Sequence, residues 1–427
     1  MAVDRRAFLT AGGAGLAGVA GGVLVGRGLA ATDDSDDSDD TATAAAARPV
    51  VLSEPIAFRG SRQSGIDTPS QRHAVFAAFD VVVRESSALA ALMVTWTDTA
   101  EALAAGEPVA QDTGEATGLG PARLTVTFGF GASLFDDQCA PVSARPAGLV
   151  DLPEFPGDQL EDAWNGGDLL VQVCADDPTV VSHALRQLRR TGQGTVALRW
   201  SQAGFLPQAG DATPRNLFGQ VDGTANPAVG SDQLDELVWA TDGPDWMTGG
   251  TYLATRRIRM MLTMWDRMGL DVQEATIGRR RDTGAPLTGV DEFTEPDLDA
   301  TRNGAPVIPP DAHVRIAKTA GPGMLRRGYS YDNGPRPSGT GAAPTGQMDH
   351  SQHGQLDHSG MMAAMDDHDA GLFFAAYVRD PATQFVPMQQ ALSAGDALGH
   401  FLAYTSAGLW AIPAGAPDGP LAAGLFT

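Results

Sequence analysis

Residues 216–227 read NLFGQVDGTANP and hold one carboxylate, Asp222, between Gly219 and the pair Gly223 and Thr224. On composition alone this is a turn whose aspartate caps its own backbone, as Asx residues do in Gly/Asn/Pro loops. A second residue, His313, stands in PPDAHVRIA, after two prolines and at the head of a β-rich run. Thirteen residues later MLRRGYSY carries Arg326 and Arg327. A lone histidine is more often a core or surface residue than a ligand, yet a neutral imidazole in a partly buried setting is a natural axial ligand for haem iron.

Eight histidines occur, and four of them, His350, His353, His358 and His368, lie in residues 335–370, a polar stretch rich in Gly and Pro that does not read as core. Met348, Asp349 and His350, then Asp357, His358 and Met361, then Met365 and His368 repeat a Met/Asp/His theme, with Met362 beside them. Thioether and imidazole ligands favour copper, Cu(I) for methionine and Cu(II) for histidine. Copper binding therefore stands beside a plain solvated linker as the reading of this insert.

These groups need a scaffold, and the hydrophobic pattern supplies one. Between about residues 55 and 205 the apolar runs AVFAAFDVVV, RLTVTFGF, DLLVQVCA and TVALRW alternate with the helical patterns SALAALMVTWTDTAEALAA and DPTVVSHALRQLRR. That is an α+β layout, sheet with helices packed on it. Near the C-terminus GLFFAAYVRDPATQFVPMQQAL parallels DLLVQVCADDPTVVSHALRQL: a buried strand, Asp-Pro, then a helix. Asp177 and Asp380 suit the N-cap and Pro178 and Pro381 the first helical position. The parallel predicts a duplicated domain, residues 55–205 and 206–427, with 335–370 a flexible insert in the second copy.

The chain has 427 residues, 43% of them hydrophobic, enough for two domains with real cores. Fifty-two acidic against 29 basic residues give a net charge of -23, and no Lys/Arg-rich tract follows the N-terminus, which argues against nucleic acid as a partner. The first 31 residues pair Arg5 and Arg6 with Phe8 and Leu9 and a weakly apolar Gly/Ala/Val run, the pattern of a twin-arginine export signal with no stable membrane span expected in the mature protein. Such export moves folded proteins, often with a cofactor inside, to the periplasm or cell exterior. Residues 32–54, acidic and Ala-rich at first, read as a disordered linker. Cys139 and Cys174 could form a bridge in that compartment, while the apolar run around Cys174 equally suits a buried free thiol.

From about residue 56 onward, apart from the insert, the chain resembles the dye-decolorizing-type haem peroxidases, and among them the exported EfeB-like branch. The resemblance rests on GIDTPSQ (65–71), LTVTFGFGASLFD (124–136), DLLVQVCADDP, NLFGQVDGTANP, GGTYLATRRIRMMLTMWDR (249–267), GRRRDTGAPLTG (278–289), AHVRIA, MLRRGYSY and GLFFAAYVRDPATQFVPMQ, in that order. It implies two ferredoxin-like α+β domains, haem b held mainly by the second, and hydrogen peroxide reduced at the expense of small aromatic or dye-like donors. By the same resemblance His313 is the proximal iron ligand, Asp222 and Arg326 the catalytic pair above the haem, and Gly223, Thr224 and Ala225 haem contacts. The family has an acidic residue before its last strand to hold the proximal histidine; the matching position is His400, with Asp396 nearby. Gln220 and Val221 replace an aromatic residue and a lysine of the branch. Tyr329, Tyr331, Trp239, Trp265 and Trp410 are candidates for carrying electrons from surface-bound donors, each also explicable as packing. The branch offers a second function, haem or iron handling within an iron-uptake system, and the insert resembles the repeats of periplasmic copper-resistance proteins, which would add copper-handling partners.

Overall fold

The strand HAVFAAFDV (β1, His73–Val81) is apolar at both parities: Val75, Ala77 and Phe79 enter one core while Ala74, Phe76 and Ala78 enter another. Successive side chains alternate across a strand, so such a run must be covered on both faces. The structure, a computed structural model, describes residues 54–136, 144–207, 212–241, 243–336 and 368–426. After β1 come α1 (Ser86–Ala105), β2 (Thr125–Gly131), β3 (Leu169–Ala175), α2 (Pro178–Thr191) and β4 (Val196–Phe205). The strands pair antiparallel in the order β4-β1-β3-β2, a ferredoxin-like βαββαβ unit.

The second half runs α3 (Asp232–Val238), β5 (Thr251–Met260), α4 (Leu262–Trp265), α5 (Leu270–Ile277), the two-residue strands β6 (Thr301–Arg302) and β7 (Ala305–Pro306), α6 (His313–Thr319) and β8 (Leu325–Arg326). It continues with β9 (Tyr329–Pro335), β10 (His368–Val378), α7 (Phe385–Gly395), β11 (Leu402–Tyr404) and β12 (Gly408–Ile412). Its main strands pair as β12-β5-β10-β9, the same order as the first unit. The fold is therefore α+β, two ferredoxin-like units. They meet edge to edge twice, Trp410 of β12 opposite Gly131 of β2 and Phe205 of β4 opposite Ser330 of β9, so neither unit leaves an open edge there. Strands from both halves share the core of Phe76, Leu170, Trp200, Leu253, Phe373 and Trp410.

Asp177 caps α2 as expected, its carboxylate accepting from the N–H groups of Thr179 (2.7 Å) and Val180 (3.3 Å), a contact worth about 1 kcal/mol. The C-terminal copy differs. Asp380 and Pro381 start a turn, with Asp380 accepting from Ala382 N–H at 2.9 Å, and the helix begins only at Phe385. Cys174 is a buried free thiol, and Cys139 lies outside the described residues. So do the export signal, the linker up to residue 53, and Met348, His350, His353, His358, Met361, Met362 and Met365 of the insert. His368 does not belong to a loop: it opens β10, with Nε2 2.8 Å from Asp332 Oδ1. Among the described residues no helix is long and apolar enough to cross a membrane.

Candidate active site

The Asx turn in NLFGQVDGTANP belongs to Asn216, whose Oδ1 accepts from the N–H groups of Phe218 (3.0 Å) and Gln220 (3.3 Å). Gly219 and Gly223 sit at φ 75° and 132°, so the backbone itself requires glycine at both positions. Trp265 stacks on Phe218 with ring centroids 4.5 Å apart and donates its Nε1–H to the Phe218 carbonyl at 3.2 Å. With the turn closed by others, the Asp222 carboxylate is available: it accepts from Arg326 Nη1 at 3.1 Å and from Asn216 Nδ2 at 3.4 Å. Gln220 is buried, and its amide nitrogen has no hydrogen-bond partner. Thr224 donates its hydroxyl to Glu292 Oε1 at 2.9 Å, and Ala225 is exposed.

Arg326 stands on β8, opposite Ala376 of β10. Asn226 clamps its backbone, donating Nδ2–H to the Arg326 carbonyl at 2.7 Å and accepting the Arg326 N–H on Oδ1 at 3.0 Å. Sequence reasoning missed Asn226; its one signal was its place in the same motif. Arg327 turns the other way, as alternation on a strand demands, and donates to the Thr68 carbonyl and to Gln71. Of the two adjacent arginines, Arg326 alone meets Asp222.

His313 does not head a strand. Pro309 and Pro310 pre-set the turn, Ala312 is the N-cap, and His313 is the first residue of α6. Its Nδ1 is 2.6 Å from Asp396 Oδ2. The Asp396 side chain is 4% exposed and fixed at the end of α7, where its N–H reaches the Leu392 carbonyl and its Oδ1 accepts from Leu398 N–H at 2.9 Å. His400, the position matched to the acidic group, is exposed on the surface, so the acid that holds the histidine is Asp396.

Burial pulls the His313 pKa down, but the charge and hydrogen bond of Asp396 outweigh it and hold the imidazole above its ordinary value. The charges of Arg326 and Asp222 also reach this ring, the first lowering its pKa and the second raising it. The three side chains are 33%, 30% and 29% exposed (His313, Arg326 and Asp222). Beside them an apolar cluster of Phe218, Ile258, Met260, Leu398 and Phe401 runs from four residues before Asp222 to just beyond Asp396. With Nδ1 taken by a carboxylate, Nε2 is the nitrogen left to ligate a metal. An anchored imidazole with Nε2 left over, an apolar cluster, and an Asp/Arg pair whose charges reach that imidazole fit a haem.

The proposed electron carriers are a correction. Tyr329, Tyr331, Trp239, Trp265 and Trp410 are all buried, so none offers an exposed ring to a bulky donor. Trp410 donates to Thr255 at 3.1 Å, and Trp239 lies under the Arg62 guanidinium at 4.0 Å.

Comparison with known proteins agrees with this geometry. Residues 63–206 match the model for the N-terminal part of Dyp-type peroxidases and residues 213–417 the model for their C-terminal part. The chain is 40% identical over 377 residues to the dye-decolorizing peroxidase of Thermobifida fusca, covering 82% of this chain and 80% of that one. It is 32% identical to the deferrochelatase of Yersinia pseudotuberculosis over 368 residues, 81% of this chain and 78% of the relative. Ferric DtpA from Streptomyces lividans superposes with a TM-score of 0.77 at 37% identity, over 89% of this chain and all of that one (100%). A duplicated ferredoxin-like fold, a histidine held by a buried acid and an Asp/Arg pair beside it thus occur in a chain whose two halves match the two halves of one family: the chain belongs to the Dyp-type peroxidases, haem enzymes that reduce peroxide.

Proposed function

We propose that this haem peroxidase binds haem b through His313 and reduces hydrogen peroxide with Asp222 and Arg326, taking electrons one at a time from small phenolic or dye-like donors. The observation that carries the reading is the ion pair of Arg326 Nη1 and Asp222 Oδ1 at 3.1 Å, electrostatically coupled to an imidazole whose other side is held by Asp396. Haem, when bound, supplies the iron at which the O–O bond is reduced. Hydrogen peroxide must lose a proton from one oxygen and gain one on the other as that bond breaks; in this reading Asp222 takes the first and delivers the second. Arg326 stabilises negative charge as it builds on the departing oxygen. Asp396 supports the reaction by keeping the Nδ1 proton and the charge behind His313 in place.

The purified protein is expected to show a Soret band that shifts on one equivalent of hydrogen peroxide and returns on addition of a dye, which bleaches. Since one relative is a deferrochelatase, iron handling is the second reading. Porphyrin fluorescence separates the two: iron-free porphyrin accumulating in place of dye turnover would favour it.

Two further readings rest on the sequence. The start with Arg5 and Arg6 supports export by the twin-arginine pathway to the periplasm or cell exterior, and replacing both with lysine is expected to trap the protein inside the cell. The Met/His run supports copper binding that sequesters or passes on the metal, outside the peroxidase step. Deleting residues 345–366, which stops short of β10, is expected to remove that copper uptake in calorimetry while leaving the Soret band intact.

A further inference from the structure

The connection between α1 and β2 packs on α2 in the first unit, and three potential ligands meet there. Asp112 Oδ2 lies 3.3 Å from His183 Nε2, and Glu115 Oε1 lies 3.3 Å from His183 Nδ1. One donor atom from each of the three can be chosen so that all lie within 4.8 Å of one another. His183 is 5% exposed, and its Nδ1, sealed from solvent and aimed at Glu115, finds no hydrogen-bond partner. Buried ring nitrogens are ordinarily satisfied, so this one calls for an explanation.

The carboxylates are held ready by the loop itself. Asp112 Oδ1 accepts from Gly114 N–H at 2.7 Å and Oδ2 from Val109 N–H at 3.3 Å. Glu115 Oε2 takes the Thr113 hydroxyl, which in turn accepts from Gln187 Nε2 of α2 at 2.5 Å. The cation now beside Glu115 is Arg186, 3.3 Å away with a side chain 63% exposed, free to swing into water.

We propose that Asp112, Glu115 and His183 form a binding site for a divalent transition cation, zinc in the first instance, which fastens the α1–β2 connection to α2. One imidazole with two carboxylates is a borderline donor set that suits zinc better than calcium or magnesium, which prefer oxygen alone. The ion takes the Nδ1 lone pair and replaces Arg186 at Glu115, while Asp112, whose Oδ2 stands at Nε2 on the other edge of the ring, turns toward it; zinc–ligand bonds of roughly 2.0–2.2 Å draw together donor atoms that now lie within 4.8 Å of one another. Nothing in this site touches the Asp222 pair, so peroxidase activity does not depend on it.

Hydrogen exchange on the full-length haem protein, freed of metal by a chelator and then given zinc chloride, reads the site locally even if the Met/His insert also binds zinc. Amides of residues 109–116 and 182–187 are expected to exchange up to about 100-fold more slowly at zinc 100 times its dissociation constant. Glu115→Gln and Asp112→Asn should each lose that protection while keeping the Soret band and dye turnover, which report that the variants are folded. Exchange in the parent that ignores zinc would overturn the proposal. So would protection that survives in both variants, or equal protection from calcium.

Discussion

Replacing His313 with alanine is expected to strip the purified protein of its Soret band, and added imidazole to restore part of it by filling the space left behind. No other described histidine can take over. His73 opens β1 and His183 is committed on α2, both in the first unit, His368 pairs with Asp332, and His400 is exposed. Loss of the outer partner of a ligating histidine costs roughly 10–100-fold in metal affinity, and loss of the ligand itself must cost more. Asp396→Asn is the graded companion: it still accepts the Nδ1 proton but removes the charge, so haem should be retained less tightly and the iron's reduction potential should rise. The acid dependence follows from the same contact. Because Asp396 holds the His313 pKa above its ordinary 6.5, protons compete with iron at a higher pH than for a free imidazole. Haem uptake by the stripped protein should therefore begin to fail above pH 6.5 as the solution is acidified, and at lower pH in Asp396→Asn. A Soret band unchanged in His313→Ala would assign the iron to another residue.

What could be read ahead of the structure divides by range. Asp177 before Pro178 announced a capped helix because cap, proline and apolar period are neighbours in sequence. The β1, β3 and β10 runs announced buried strands for the same reason, and two Asp-Pro units announced a duplication. Local pattern failed where length was short: PPDAHVRIA offers too few residues to separate a strand from one turn of helix, and the prolines favoured the helix. It failed again where partners are remote. Asp396 is 83 residues from His313, and only packing of α7 against α6 brings it to Nδ1, so position in the motif pointed at His400 instead. The edge pairings of β2 with β12 and β4 with β9 likewise leave no mark on either strand alone. Asn226 was visible as a letter and silent as a role, because its partner, the Arg326 backbone, is 100 residues away.

Asp222→Asn and Arg326→Ala are expected to slow the reaction with hydrogen peroxide steeply, and the contrast between them assigns the roles. Asparagine keeps the shape of Asp222 and can still face Arg326, but it cannot carry the proton; a positioned general base is worth roughly 10²–10⁴-fold. Removing Arg326 takes away the charge that meets the departing oxygen, worth roughly 10²–10³-fold by analogy with other preorganised donors. Because the two side chains touch at 3.1 Å, the double variant should lose less than the product of the single losses. Asn226→Ala tests positioning: it leaves both groups in place but frees the Arg326 backbone, so its loss should be smaller than that of Arg326→Ala, with the Soret band of the resting protein unchanged. Stopped-flow rates across the peroxide series, each at matched haem content, read all four. If Asp222→Asn reacts at the parent rate while Arg326→Ala does not, the carboxylate's work is to aim the arginine and the proton travels by another group. If the order is reversed, Arg326 serves Asp222.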